Sequence, residues 1–169
     1  MVPFEEMPDH SRVWVYQSDR AFDADESEEV LQLLKQFVHT WKSHNISLKA
    51  SADLLHNRFV VIAVDHHIES PSGCSIDASV QVIKEIEQRH DVRMFDRMLF
   101  AWMDENNQVQ VHNRAEFVNL HQAGKIKADT IVFNNLVQTL AEMKSKWAIQ
   151  LSQSWHQRML LLDFSSKLN

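Results

Sequence analysis

The chain has 169 residues, a net charge of −6, one cysteine, ten histidines and two glycines. Ordinary usage of ~7% predicts about twelve glycines. The deficit speaks against Walker-type phosphate loops and dinucleotide-binding turns, which need clustered glycines.

At ~150 residues per domain the length fits one domain, or one domain with a small appendage. Apolar content of 44% and charged content of 24% are those of a folded protein with a real core. No stretch approaches the ~20 apolar residues needed to span a bilayer, and Glu5, Glu6 and Asp9 are unlike a secretory leader. Cys74 has no partner for an internal disulfide, so a reducing, cytoplasmic setting is expected. Residues 1–113 carry 10 basic and 19 acidic side chains, and residues 114–169 carry 7 and 4. An acidic body with a dilute basic tail excludes nucleic acid as a partner, because phosphate neutralisation needs a clustered basic surface.

Along the chain, Arg12 to Gln17 reads as a strand. Asp23 and Glu26 form a capping box, and Val30, Leu34, Phe37, Val38 and Trp41 mark one face of the helix that follows. Leu48 to Leu55 and Phe59 to Val64 read as strands joined by a tight turn at His56-Asn57. The second of these is apolar at every position, so both of its faces are expected to be buried. Ser72 to Ser75 leads into a second helix with Ile76, Val80, Ile83 and Ile86 on one face, and Arg97 to Met103 reads as a further doubly apolar strand. Beyond it come a turn at Glu105-Asn106-Asn107, a strand at Gln108 to His112, and a helix with a capping box at Asn113 and Glu116. Gly124 and Ile126 suit a Schellman-type close to that helix. Asp129 to Phe133 reads as a strand, Thr139 and Glu142 open a short helix, and Ser152 to Leu162 forms another.

The order strand, helix, strand, strand, helix, strand is that of a ferredoxin-like α+β sandwich. The expected architecture is therefore a ferredoxin-like βαββαβ half over 1–103, with a packed α/β C-terminal extension over 104–169. The doubly apolar strands imply that the second sheet face is covered, by the extension or by another copy.

Several strings, Val2–Arg20, Ser72–Val80, Phe95–Met98, Thr130–Val137 and Ser154–Met159, together resemble an uncharacterised family of small bacterial proteins. Some members of that family carry the label ABC-transporter ATPase. The label implies a phosphate loop, which is Gly, four residues, then Gly-Lys-Ser/Thr between a strand and a helix. Here Gly124-Lys125 is followed by Ile126 at a helix end, and Asn119 stands where the first glycine belongs. Residues 108–133 are also similar to the helix–strand core of GYF-like modules, relatives of which bind proline-rich peptides. The defining Gly-Tyr-Phe tripeptide is absent.

Cys74 is the sharpest chemical candidate, because a helix start favours the nucleophilic thiolate. His156, His66 and His67 are its candidate bases. Asp65-His66-His67 resembles the signature string of DHH phosphoesterases, without the upstream aspartates that complete their metal pair. Adjacent strand-end histidines also point to opposite faces. Trp155, His156 and Arg158, with Asp96-Arg97, are candidates for an anion pocket, since arginine is a planar fork for carboxylate or phosphate. Asn134 and Asn135 are candidate recognition groups or a turn. Neither Cys-x-x-Cys nor His-x-x-x-His spacing occurs, so no metal or cofactor is expected. The expected function is a non-catalytic cytoplasmic binding or assembly module with a protein partner, a second copy or a small ligand. The alternative is a thiol-dependent enzyme built on Cys74 and a histidine.

Overall fold

The computed structural model describes residues 2–67 and 69–166, with side chains described through Leu161. Helices and antiparallel sheets are mixed along the chain, an α+β composition. Two compact units emerge: Met1–Asp96 with Asn135–Lys144, and Arg97–Asn134 with Ser145–Asn169. No helix of the described residues is long and apolar enough to cross a membrane.

In the first unit, β1 (Arg12–Gln17), β4 (Ala50–Leu55) and β5 (Phe59–Val64) form an antiparallel sheet ordered β1-β5-β4. The central strand β5 is wholly buried at all six positions, as its unbroken apolar run requires. Helices α1 (Ala24–Thr40) and α2 (Gly73–His90) pack Val30, Leu34, Val38, Val82, Ile83 and Ile86 onto Val60, Ile62 and Val64 of β5. The Asp23–Glu26 capping box opens α1 as expected. The buried face of α2 runs through Ser75, Ser79, Val82, Ile83, Ile86 and His90, while Ile76 and Val80 are only half-buried. The two serines are tolerated inside because their hydroxyls donate to backbone oxygens one turn back, Ser75 to Ser72 at 2.8 Å and Ser79 to Ile76 at 2.6 Å.

Two hairpin turns of this unit use the same dipeptide. His56 and Asn57 have φ of 51° and 48° and join β4 to β5. His44 and Asn45, at 49° and 67°, join the two-residue strands β2 (Lys42–Ser43) and β3 (Ile46–Ser47). Positive φ at two successive residues is the mark of a type I′ hairpin turn, in which asparagine is favoured.

The expected fourth strand of the sandwich does not join this sheet. β6 (Leu99–Met103) lies in the second unit, in a four-stranded sheet ordered β7-β6-β8-β9 with β7 (Val109–Asn113), β8 (Ile131–Phe133) and β9 (Ala148–Gln150). The cause is local. Asp104 Oδ1 accepts from Asn106 N and Gln108 N, both at 2.9 Å, and so shapes the turn that folds β7 back onto β6. The free edge of β1 is instead met by Gln138–Leu140. Val13 N donates to Gln138 O, Leu140 N donates to Ser11 O, and Arg12 bridges Thr139.

The second unit also holds α3 (Arg114–Gln122) and α5 (Trp155–Ser166), while α4 (Leu140–Lys146) spans the passage between the units in sequence. Asn113 and Glu116 form the capping box of α3. At its far end Gly124 takes a φ of 70°, with Gly124 N donating to His121 O and Lys125 N to Leu120 O, the paired bonds of a Schellman close. Carbonyls, not amides, therefore face the Gly124-Lys125 turn. The core of this unit gathers Phe100, Trp102, Phe117, Ile126, Val132, Leu151 and Leu160.

Candidate functional site

The pairing of β5 with two neighbours decides what gathers at its C-terminal end. Arg12 and Ala50 both stand opposite Val64. One step further, Asp65 is flanked by the segment before β1 on one side and by Lys49 on the other. Asp65 N donates to Lys49 O at 2.8 Å, which carries the ladder one residue beyond the strand. The Asp65 carboxylate is buried, at 5% side-chain exposure, and is fully partnered. His10 Nε2 lies 2.8 Å from Oδ1, His67 N donates to Oδ1 at 3.2 Å, and Lys49 Nζ lies 3.2 Å from Oδ2. The hydrogen bond with His10, supported by Lys49 and against the cost of burial, holds this carboxyl down at about 2.

Around it stand three imidazoles. His10 and His67 are stacked with ring centroids 3.7 Å apart, and His66 meets them edge-on at 5.8 and 4.9 Å. One ligand atom each from His10, Asp65 and His67 lies within 4.8 Å of the others. His66 Nδ1 is buried and has no hydrogen-bond partner among the described residues. Of this group the sequence reading singled out His66 and His67 and missed His10. The antiparallel register Arg12↔Val64 is the signal that brings His10 there.

A second feature is an open groove of about 590 Å³ at the end of α1, beside the β2–β3 turn and the start of α2. Phe37 and Trp41 form its apolar wall, Lys42, His44 and Asn45 one rim, and Ser72–Ser75 the other. Among the described residues no carboxylate lines it. Its parts are tied together by hydrogen bonds: Trp41 Nε1 donates to Ser75 O at 2.8 Å, Ser72 N to Ser43 Oγ at 3.2 Å, and Ser43 Oγ to Ser70 O at 3.0 Å. Ser72 caps α2 by accepting from Ser75 N. Cys74 stands exposed in the groove, one residue into the helix. No hydrogen bond joins its thiol to a histidine among the described residues.

The other candidates fall elsewhere. His156 belongs to the second unit, where its ring is 1% exposed among Phe100, Phe117 and Trp155. Burial pushes this imidazole down to about 4, so it is neutral at pH 7. Trp155 stacks on it and donates through Nε1 to Asn134 Oδ1 at 3.0 Å, which unites three of the proposed residues in one structural knot. Asn135 belongs to the first unit and donates to Gln17 Oε1 at 2.8 Å. Asp96 Oδ2 is 4.0 Å from Arg93 Nη1, and Arg97 and Arg158 are exposed.

Comparison with family models, with curated proteins and with solved structures gives no match to this chain.

Proposed function

We propose that the chain is a non-catalytic cytoplasmic binding module whose seat is the groove between the end of α1 and the start of α2. Its first unit is then a variant ferredoxin-like sandwich, with Gln138–Leu140 at the edge of β1 in place of a fourth strand. The ligand we assign is a small acidic molecule with an apolar body. Phe37 and Trp41 offer the apolar wall, and Lys42 and His44 offer cationic or hydrogen-bonding rims. In residues 1–113, which carry a charge of −9, a lining without a carboxylate is a selective feature. The volume falls within the ~300–1,000 Å³ common to small-molecule sites.

The observation that carries this reading over the thiol-enzyme alternative is the isolation of Cys74. Thiol catalysis needs a base within hydrogen-bond reach. Among the described residues no histidine is hydrogen-bonded to the Cys74 thiol, His44 on the opposite rim of the groove included; His66 and His67 are not among the groove residues, and His156 is enclosed in the core of the second unit.

Titration of ¹⁵N-labelled protein with phenylacetate and with phenyl phosphate tests it. Shift changes grouped on Lys42, His44, Gly73 and Cys74, retained in Cys74→Ser and weakened in Lys42→Ala, are expected. Changes scattered over the surface, or none, would overturn the reading.

A further inference from the structure

We propose that His10, Asp65 and His67 form a binding site for a divalent transition-metal ion of the zinc class. This site is separate from the groove and does not depend on the function proposed for it.

The donor set selects the ion. Two imidazole nitrogens and one carboxylate oxygen suit Zn²⁺ and its neighbours, whereas Mg²⁺ and Ca²⁺ favour all-oxygen shells. Three protein ligands leave a fourth tetrahedral position open, and it faces outward because His67 is exposed and His10 is 40% exposed.

The geometry is close to that required. Ligand atoms around tetrahedral zinc stand roughly 3.4 Å apart, given Zn–N bonds of about 2.0–2.1 Å. The three atoms here lie within 4.8 Å of one another. Closing the difference requires the stacked His10 and His67 rings to swing so that their nitrogens and Oδ1 face one common point, with His10 Nε2 backing away slightly from its 2.8 Å contact with Oδ1. The exposure of both rings leaves room for that rotation. A proton held between His10 Nε2 and Oδ1 leaves as the metal takes its place.

Lys49 does not block the site. It holds Oδ2 at 3.2 Å, leaving Oδ1 as the oxygen turned toward the imidazoles. A partner on the outer oxygen that fixes a carboxylate ligand is the usual arrangement around bound metals. His66 is half-buried, but its Nδ1 is enclosed and has no hydrogen-bond partner among the described residues, with its ring 5.8 and 4.9 Å from those of His10 and His67; a metal-bound water would satisfy it.

The test is calorimetric titration of the full chain with ZnCl₂, together with the visible d–d absorption of a Co²⁺-loaded sample. One equivalent is expected, with low-symmetry Co²⁺ bands. His10→Ala and His67→Ala are each expected to weaken that equivalent by at least tenfold while circular dichroism stays unchanged. His39→Ala, which alters an exposed histidine on α1, is the control and should change nothing. Absence of binding to the wild-type chain would overturn the proposal. So would undiminished binding in either site variant, or equal weakening by His39→Ala.

Discussion

Trp155 lies nearly flat on His156, with ring centroids 3.9 Å apart and planes inclined by 22°. At the ring edge Ser154 Oγ sits 2.7 Å from His156 Nδ1. The imidazole is thus held as a neutral core ring with Ser154 as its polar partner, and this has a consequence in pH. Its folded pKa, about 4, lies below the ordinary histidine value of 6.5. The unfolded chain therefore binds the extra proton first. The stabilisation is complete above about pH 6.5 and is lost as pH falls from there through about 4. The loss amounts to at most about 3 kcal/mol. Urea unfolding between pH 7 and 4.5 should show it, and His156→Phe should flatten that part of the slope. An unchanged slope would remove His156 as its source.

Arg20 clamps Glu26 through two bonds of 2.7 Å, and the same guanidinium donates to His90 O at the end of α2. With this arginine as the leading cause, the Glu26 carboxyl is held at about 2. The stabilisation is therefore present above about pH 4.5 and lost as pH falls through about 2. Both groups are partly in solvent, so Glu26→Gln is expected to cost about 1 kcal/mol at neutral pH, and less at high salt. Thermal unfolding at low and high ionic strength checks this. A cost that salt does not reduce would argue against an ionic origin.

His56 holds a φ of 51° in the β4–β5 turn, a region that L-residues enter at a cost. His56→Gly is expected to raise stability by up to about 1 kcal/mol, and His56→Val to lower it by about 1–2 kcal/mol. Denaturant midpoints at pH 7 provide the measurement. If both substitutions shifted the midpoint in the same direction, the strain argument would fail.

Cys74 is exposed and outside the core, so it should be titrated fully by a disulfide reagent in the native protein, without unfolding. Cys74→Ser should leave stability within about 0.5 kcal/mol. Leu34 is fully buried between α1 and the sheet, and Leu34→Ala should cost about 3–5 kcal/mol. A reversed ranking of these two variants would contradict the assignment of the core.

Local chemistry made much of the fold legible in advance. Asp23–Glu26, Asn113–Glu116 and Gly124 each carry their own capping signal, and the run Phe59–Val64 declares a strand buried on both faces. The same reasoning recognised His-Asn as a turn at 56–57 but passed over it at 44–45, because the two-residue strands there are too short to show alternation. Of the α2 face expected at Ile76, Val80, Ile83 and Ile86, the last two are buried and the first two only half-buried, because a count of apolar residues overlooks Ser75 and Ser79, whose hydroxyls bond within the helix. Strand partners were less legible still. Leu99–Met103 satisfies either sheet by composition, and its place is set by β7, folded back at the Asp104 turn, on one edge and β8 on the other. The grouping of His10 with Asp65 appears only once β1 is known to pair with β5, since no spacing rule joins residues 55 positions apart.

The coverage of the β1 edge by Gln138–Leu140 gives the chain an order of completion during synthesis. A ribosome that has released the first 96 residues has delivered the three-stranded sheet β1-β5-β4 and both long helices of the first unit, yet β1 still presents an unpaired edge. Thirty-eight further residues, all belonging to the second unit, must emerge before the closing segment begins at Asn135. Over that interval the nascent chain carries an open strand edge of the kind that recruits other chains. Premature termination between 97 and 134 would leave that edge exposed.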